Sequence, residues 1–163
     1  WLKKFIKMTS RKDQEFLDFL KCTKLFFVSR YSGKVLYELK FHGNDLRKLD
    51  DNFKPVREKY ASKAAMYADI LTKATGAIYK TDDYLLDIDS AFYSADYVRA
   101  WMFEVQVRNY LKQHFGAWFA NKKSGAFLKK MWSTGSAGRN QEELAKLIGV
   151  SGVDPQYLFD EVL

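Results

Sequence analysis

The chain contains very little cysteine or proline, and it lacks long apolar runs. Cys22 is the single cysteine among 163 residues, which excludes an internal disulfide and a cysteine-rich zinc cluster. Because Cys22 lies in the helical run LKCTKLFF, we expect a buried, unreactive thiol. No apolar stretch approaches the roughly 18 residues of a membrane span, so we expect no membrane partner. With 47% hydrophobic residues and only 2 prolines, the chain can bury a core, and we expect it to fold along most of its length.

Neither positive nor negative charge is concentrated in one part of the sequence. The net charge of +7 arises from 27 lysines and arginines mixed with 20 acids, as in the segment RKDQEF. The sequence contains no uninterrupted basic block and no recognised nucleic-acid motif, so we expect no nucleic-acid partner. The single cysteine and the lack of a signal peptide in this sequence fit an intracellular setting.

The common catalytic signatures are missing as well. His42 and His114 are far apart, and neither belongs to an HExxH pattern, which would place two imidazoles one helical turn apart on zinc. There is no Walker loop, dinucleotide fingerprint or GxSxG elbow. We therefore expect no metal ligands within this segment, and we interpret both histidines as surface or hydrogen-bonded side chains.

What the sequence does contain is helical periodicity, without convincing strand alternation. We predict a single all-α domain over residues 1–163 with about six helices. The first is expected from Ser10 to His42–Gly43, with Gly33 bending or loosening it. The second helix is expected from near Pro55 to Gly76, and the third over residues 90–115. The fourth is expected to end at Gly135, the fifth to run from Asn140 to Gly149, and the sixth to begin at Asp154–Pro155. Residues 77–89 are predicted to form an ordered loop with one helical turn.

The helix over residues 90–115 carries large apolar side chains in nearly every direction, so we expect it to be central. One face gathers Tyr93, Tyr97, Ala100, Glu104 and Arg108 within about 80°. Glu104 and Arg108 are spaced for an i,i+4 ion pair, and Asp96 and Arg99 for an i,i+3 pair. Two interpretations remain open at this point. The tyrosines could be packed in the core, or their hydroxyls could face a cleft, where an O–H group can donate to an oxyanion formed during acyl transfer.

The segment FYSADYVRAWMFEV resembles the C-terminal substrate-cleft helix of the thimet oligopeptidase and oligoendopeptidase F family of zinc metallopeptidases. Tyr93, Tyr97, Glu104 and Val105 match the family spacing, and Ala95 matches a small residue between the tyrosines. A second segment, GAFLKKMWSTGSAGRNQEELAKLIG followed by DPQYLFDEVL, resembles the end of such an enzyme in its order of helix, Gly-Ser turn and acidic helix. The likeness is best over residues 85–163.

Two positions depart from the family pattern. The family's histidine would fall at Ile88, which is flanked by Asp87 and Asp89, and its third tyrosine falls at Ala100. The family's HExxH helix lies upstream of this region, so the resemblance implies that Trp1 begins a C-terminal fragment.

The resemblance implies a parent enzyme that hydrolyses peptides with zinc, the zinc ligands lying outside this segment. Tyr93 would then stabilise the oxyanion and Tyr97 would hold the substrate backbone, supported by Glu104, Arg108, Asp96 and Arg99. The fragment alone would be inactive. The usual location of the family, together with the single cysteine, implies a cytoplasmic protein. The alternative is a non-catalytic helical interaction or scaffold domain, or a degenerate peptidase.

Overall fold

The computed structural model describes residues 10–43, 62–133 and 140–162, and all regular structure in these ranges is helical. The described residues contain six α-helices and no strand, which confirms the all-α prediction. We number them α1 (Ser10–Phe41), α2 (Lys63–Thr75), α3 (Tyr93–Phe115), α4 (Lys122–Trp132), α5 (Gln141–Lys146) and α6 (Gln156–Val162). Single 3-10 turns at Ser90–Phe92 and Trp118–Ala120 precede α3 and α4.

The helix ends follow local capping chemistry. Helix α1 ends just before Gly43, which has a φ of 69°, and α2 ends at Gly76, whose N–H donates to the Thr72 carbonyl. Asn140 caps α5 by accepting from the N–H of Glu143 at 2.9 Å, and Asp154 accepts from the N–H of Gln156 at 2.9 Å. These ends confirm predictions made from the sequence.

Two predicted boundaries lie partly or wholly outside the described residues, namely the helix start near Pro55 and the helix end at Gly135. Within the described residues, α2 begins at Lys63 because Ser62 is extended and its hydroxyl accepts from the N–H of Ala65 at 3.1 Å. The loop over residues 77–89 contains one helical turn, closed by the N–H of Asp87 on the Asp83 carbonyl at 3.0 Å, as predicted.

The chain divides into two compact units, residues 1–96 and 97–163, so the single domain stays a prediction. In unit 1, α1 packs on α2 around Tyr37, Met66, Tyr67, Ile70 and Leu71. Ile88 from the following loop packs against this core. Unit 2 buries a separate set of apolar side chains, Val105, Leu111, Met131, Ala145, Ile148 and Leu158.

Gly33 lies at the contact between α1 and α2. A Cβ atom at Gly33 would lie 2.7 Å from the Cβ of Ala74, well inside van der Waals contact. Helix α1 continues through Gly33 without interruption. The glycine is therefore required for helix packing, whereas the sequence suggested a bend.

Replacing Gly33 by alanine is expected to lower the free energy of unfolding by about 1–2 kcal/mol, because overpacking costs about 1–3 kcal/mol and improved helix propensity returns up to about 1 kcal/mol. The matched control is Gly125→Ala in α4, where an added Cβ meets nothing within 4 Å. That substitution should stabilise the chain by up to about 1 kcal/mol. Urea unfolding followed by circular dichroism measures both changes, and equal stabilisation by the two alanines would contradict the packing role.

Several side chains expected in the core lie at the surface. Cys22 is exposed, which corrects the expectation of a buried thiol. Phe119 and Trp132 are also largely exposed, at 62% and 66%, although aromatic side chains of this size usually contribute to a core. Helical periodicity alone does not show which apolar face of a helix packs against another element.

Candidate functional site

The two tyrosines singled out by the sequence both belong to α3, and both are exposed. Tyr93 is 52% exposed at the first position of the helix, in unit 1. Tyr97 is 39% exposed in unit 2, with its ring centroid 6.1 Å from that of Trp101. Asp96 and Glu104 are exposed as well, so the prediction of a central helix is wrong at these positions. Exposure of both rings argues against the interpretation that they only fill the core.

Glu104 and Arg108 form the predicted ion pair. The Arg108 guanidinium donates to Glu104 through Nε at 2.6 Å and through Nη2 at 3.2 Å. It also donates to Glu161, which ties α3 to α6 within unit 2. The hydrogen bond to Glu104, together with Glu161, raises the pKa of Arg108 despite partial burial. Arg108 therefore stays charged and joins two helices.

The predicted pairing of Asp96 with Arg99 needs correction. Arg99 donates to Gln141 Oε1 at 2.9 Å and forms its ion pair with Glu142, both in α5. The Arg99 hydrogen bond is the main reason that the pKa of Glu142 lies below its ordinary value. The i,i+3 prediction fails because Arg99 pairs with a residue 43 positions away in another helix, and local spacing gives no information about such a partner.

The backbone before Tyr93 is unusual. Ala91 and Phe92 both have positive φ, 55° and 56°, and neither is glycine, asparagine or aspartate. A left-handed conformation costs a residue with a side chain about 1–2 kcal/mol. Such strain persists only where surrounding structure holds it, and it is concentrated at functional sites. No residue preference in the segment SAFY predicts this turn, so the turn was not expected from the sequence.

In unit 1, a partly buried ionic cluster consists of Arg30, Lys34 and Glu38 from α1 with Asp87 and Asp89 from the following loop. Arg30 Nη2 donates to both carboxylate oxygens of Asp87, at 2.7 and 2.9 Å. Lys34 lies 3.3 Å from Asp87 and 2.8 Å from Asp89. The carboxylates that flank the family's histidine position are thus held by cations of α1.

Burial and charge shift the pKa values in this cluster. Burial opposes the charged form of Lys34, but the hydrogen bond to Asp89 and the nearby Asp87 raise its pKa overall. The same hydrogen bond lowers the pKa of Asp89. Tyr67 donates to Asp87 at 3.0 Å, and burial followed by the Asp87 charge raises its pKa. Lys34 and Asp89 therefore remain ionised, and Tyr67 neutral, at neutral pH.

Glu38 is completely buried and lies beside the strained turn. Its Oε1 accepts from the N–H of Asp89 at 2.9 Å and from the Ser94 hydroxyl, whose oxygen lies 3.2 Å away. The Ser94 oxygen is also 3.0 Å from Asp89 Oδ2, so the single hydroxyl proton is shared between the two carboxylates. Glu38 Oε2 has no hydrogen-bond partner among the described residues. Glu38 thus contacts the chain on both sides of Ala91 and Phe92.

The sequence does carry a weak signal for this cluster. Arg30, Lys34 and Glu38 recur at intervals of four, which places three charges on one face of the helix. Their partners lie 51–57 positions away, so the spacing identifies a charged face without identifying what it meets.

No metal site or membrane span is present in the part of the chain that the structure describes. Across residues 10–43, 62–133 and 140–162, no group of three or more His, Cys, Asp or Glu side chains could hold a metal ion. His42 packs edge-on against Phe41 and Phe92, and His114 Nδ1 lies 2.9 Å from the Tyr110 carbonyl. The described residues therefore do not fit a zinc ion.

None of the described helices is both long enough and apolar enough to cross a membrane.

Comparisons of this chain with protein-family models, with curated proteins and with solved structures find no match.

Proposed function

We propose that this chain is the C-terminal, substrate-cleft portion of a zinc-dependent oligopeptidase that hydrolyses peptide bonds. The observation that carries the proposal is the setting of Tyr93. It is an exposed tyrosine at the first turn of α3, directly after two strained residues, in a unit that contains a partly buried ionic cluster. The matched spacing from Tyr93 to Glu104 supports the same assignment.

In this proposal the Tyr93 hydroxyl donates a hydrogen bond to the oxyanion of the tetrahedral intermediate. A donor already in place is effective because it needs no reorganisation as charge develops. Tyr97 holds the substrate backbone. Arg99 and Arg108 support α3 through Glu142 and Glu161, while Asp96 and Glu104 keep the exposed side of the helix charged. The metal, which in such enzymes activates the attacking water, would be held by residues outside this chain.

The partner in this proposal is a peptide, and the location is the cytoplasm. No nucleic-acid or membrane partner is part of the proposal. The proposal specifies no oligomeric state, because the proposed chemistry requires a single cleft.

Peptide cleavage by the longer protein that carries this chain is expected to require zinc. Treatment with a chelator should abolish hydrolysis of a fluorogenic oligopeptide, and added zinc should restore it. The isolated 163-residue chain with added zinc should not cleave the peptide, because its described residues offer no ligand set. Chelator-resistant cleavage by the longer protein, or cleavage by the isolated chain, would contradict the proposal.

One observation favours a second candidate, a non-catalytic interaction domain. The first half of α1 exposes a run of large apolar side chains, at Phe16, Leu17, Phe19, Leu20, Leu25, Phe26 and Phe27. Phe19 is the most exposed of them, at 63%. Exposed apolar surface of this kind is typical of sites where another protein segment binds. The zinc experiment separates the two candidates, since an interaction domain has no zinc-dependent turnover.

A further inference from the structure

Tyr93 follows directly after the two residues whose backbone is strained. The direction in which the Tyr93 ring leaves the helix depends on how Ala91 and Phe92 are held, because a change of either φ turns the first residue of α3. Each of the two left-handed residues is strained, because its Cβ atom lies close to the following carbonyl oxygen. Contacts elsewhere must offset that strain.

The contacts closest to the turn come from Glu38. Its Oε1 accepts from the Asp89 N–H, which precedes the turn, and from the Ser94 hydroxyl, which follows it. One buried oxygen atom therefore connects both ends of the strained segment. Lys34 completes the arrangement by holding the Asp89 carboxylate at 2.8 Å, and that carboxylate also contacts the Ser94 hydroxyl.

A core stabilised by packing alone would not need this arrangement. Burying a carboxylate is costly unless it is well hydrogen-bonded, and one oxygen of Glu38 has no hydrogen-bond partner among the described residues. A similar apolar side chain would fill the space at lower cost. The carboxylate adds something that an apolar residue lacks, which is an acceptor for two donors separated by the turn.

We propose that Glu38 is a positioning residue that fixes the orientation of Tyr93 by holding residues 89 and 94 together across the left-handed turn. The inference rests on the proposed function, because it assigns a role to Glu38 in the same oxyanion stabilisation. It deepens that function by naming what holds the donor in place. Displacement of a catalytic group by about 1 Å can lower turnover by about 100-fold.

The first experiment uses the 163-residue chain and requires no activity. Tyr93 is replaced by 3-fluorotyrosine, and its fluorine resonance is recorded in three backgrounds: wild type, Glu38→Gln and Glu38→Met. Glutamine retains an oxygen acceptor, whereas methionine has similar volume and accepts neither bond. We expect the wild-type resonance with Glu38→Gln and a shifted or split resonance with Glu38→Met. A wild-type resonance in both variants would overturn the inference.

The second experiment uses the longer protein and a double-mutant cycle on kcat. Glu38→Met should lower kcat by about 10–100-fold with KM nearly unchanged, and Glu38→Gln should stay within about threefold of wild type. In a Tyr93→Phe background, Glu38→Met should cause no further loss, because a residue that acts through Tyr93 has nothing left to position. The same loss in both backgrounds would overturn the inference.

The outcomes separate the inference from the function on which it rests. A fluorine shift with Glu38→Met, combined with no effect of Tyr93→Phe on kcat, would reject the proposed function and leave Glu38 as the residue that orients Tyr93. If circular dichroism shows that Glu38→Met does not fold, Ser94→Ala replaces it in both experiments. That variant removes the hydroxyl bond and keeps the carboxylate, and it should give the same shift and the same non-additivity. A wild-type resonance with Ser94→Ala would then overturn the inference.

Discussion

Replacing Tyr93 by phenylalanine in the longer protein is expected to lower kcat for peptide hydrolysis by about 10²–10³-fold, the usual effect of losing one oxyanion donor. The ring remains, so the fold should stay intact. The hydroxyl is needed when the oxyanion forms, after substrate has bound, so KM should change little. Steady-state kinetics with a fluorogenic oligopeptide measure both constants.

Two further substitutions serve as controls for this prediction. Tyr97→Phe should mainly raise KM, because its proposed role is to hold the substrate backbone. Tyr84→Phe should leave both constants unchanged, since the Tyr84 ring packs against the core of unit 1 and its carbonyl, not its hydroxyl, accepts from Tyr37. An unchanged kcat in Tyr93→Phe would reject the assigned role of Tyr93.

Replacing Asp87 by alanine is expected to lower the free energy of unfolding of unit 1 by about 3 kcal/mol, because it removes the counter-charge of Arg30 and leaves Lys34 with Asp89 alone. Asp87 is bonded by Arg30, Lys34 and Tyr67, and its side chain is only 13% exposed. The Lys34 side chain is 6% exposed, so water cannot take the place of the lost carboxylate. Hydrogen exchange of the α2 amides measures this loss of stability, since α2 packs against α1 to form the core of unit 1.

The matched control for Asp87 is an ion pair at the surface. Lys73 pairs with Asp69 at 2.7 Å, but its side chain is 67% exposed. Lys73→Ala should change the free energy of unfolding by less than about 0.5 kcal/mol, as is usual for exposed i,i+4 pairs. If Asp87→Ala and Lys73→Ala have similar effects, the ionic cluster does not stabilise unit 1 in the way described above.

The helices could be predicted because their signals are local. Asn140 and Asp154 cap the helices that follow them, and Gly43 and Gly76 end the helices that precede them, each within a few residues. Hydrophobic periodicity supplies the rest of the all-α assignment. Where prediction failed, the partner was distant in sequence. Gly33 depends on Ala74, and Arg99 depends on Glu142.

The candidate site could be predicted only in part, for the same reason. The residues of α3 were found from their spacing, and the Glu104–Arg108 pair formed as expected. The left-handed turn before Tyr93 and the carboxylate of Glu38 beside it were not found. Neither Ala91 nor Phe92 prefers positive φ, and the contacts of Glu38 on both sides of the turn come from α1. Such a feature is a property of the folded unit and not of its local sequence.

The most direct test of the proposed function is a crystal structure of the longer protein with a phosphinic peptide, whose tetrahedral phosphinyl group mimics the intermediate. We expect the Tyr93 hydroxyl to lie about 2.5–3.0 Å from a phosphinyl oxygen, the range of an O–H···O hydrogen bond. The peptide backbone should contact Tyr97. A bound peptide with the Tyr93 hydroxyl more than about 4 Å from every phosphinyl oxygen, beyond hydrogen-bond distance, would contradict the assignment of Tyr93 as the oxyanion donor.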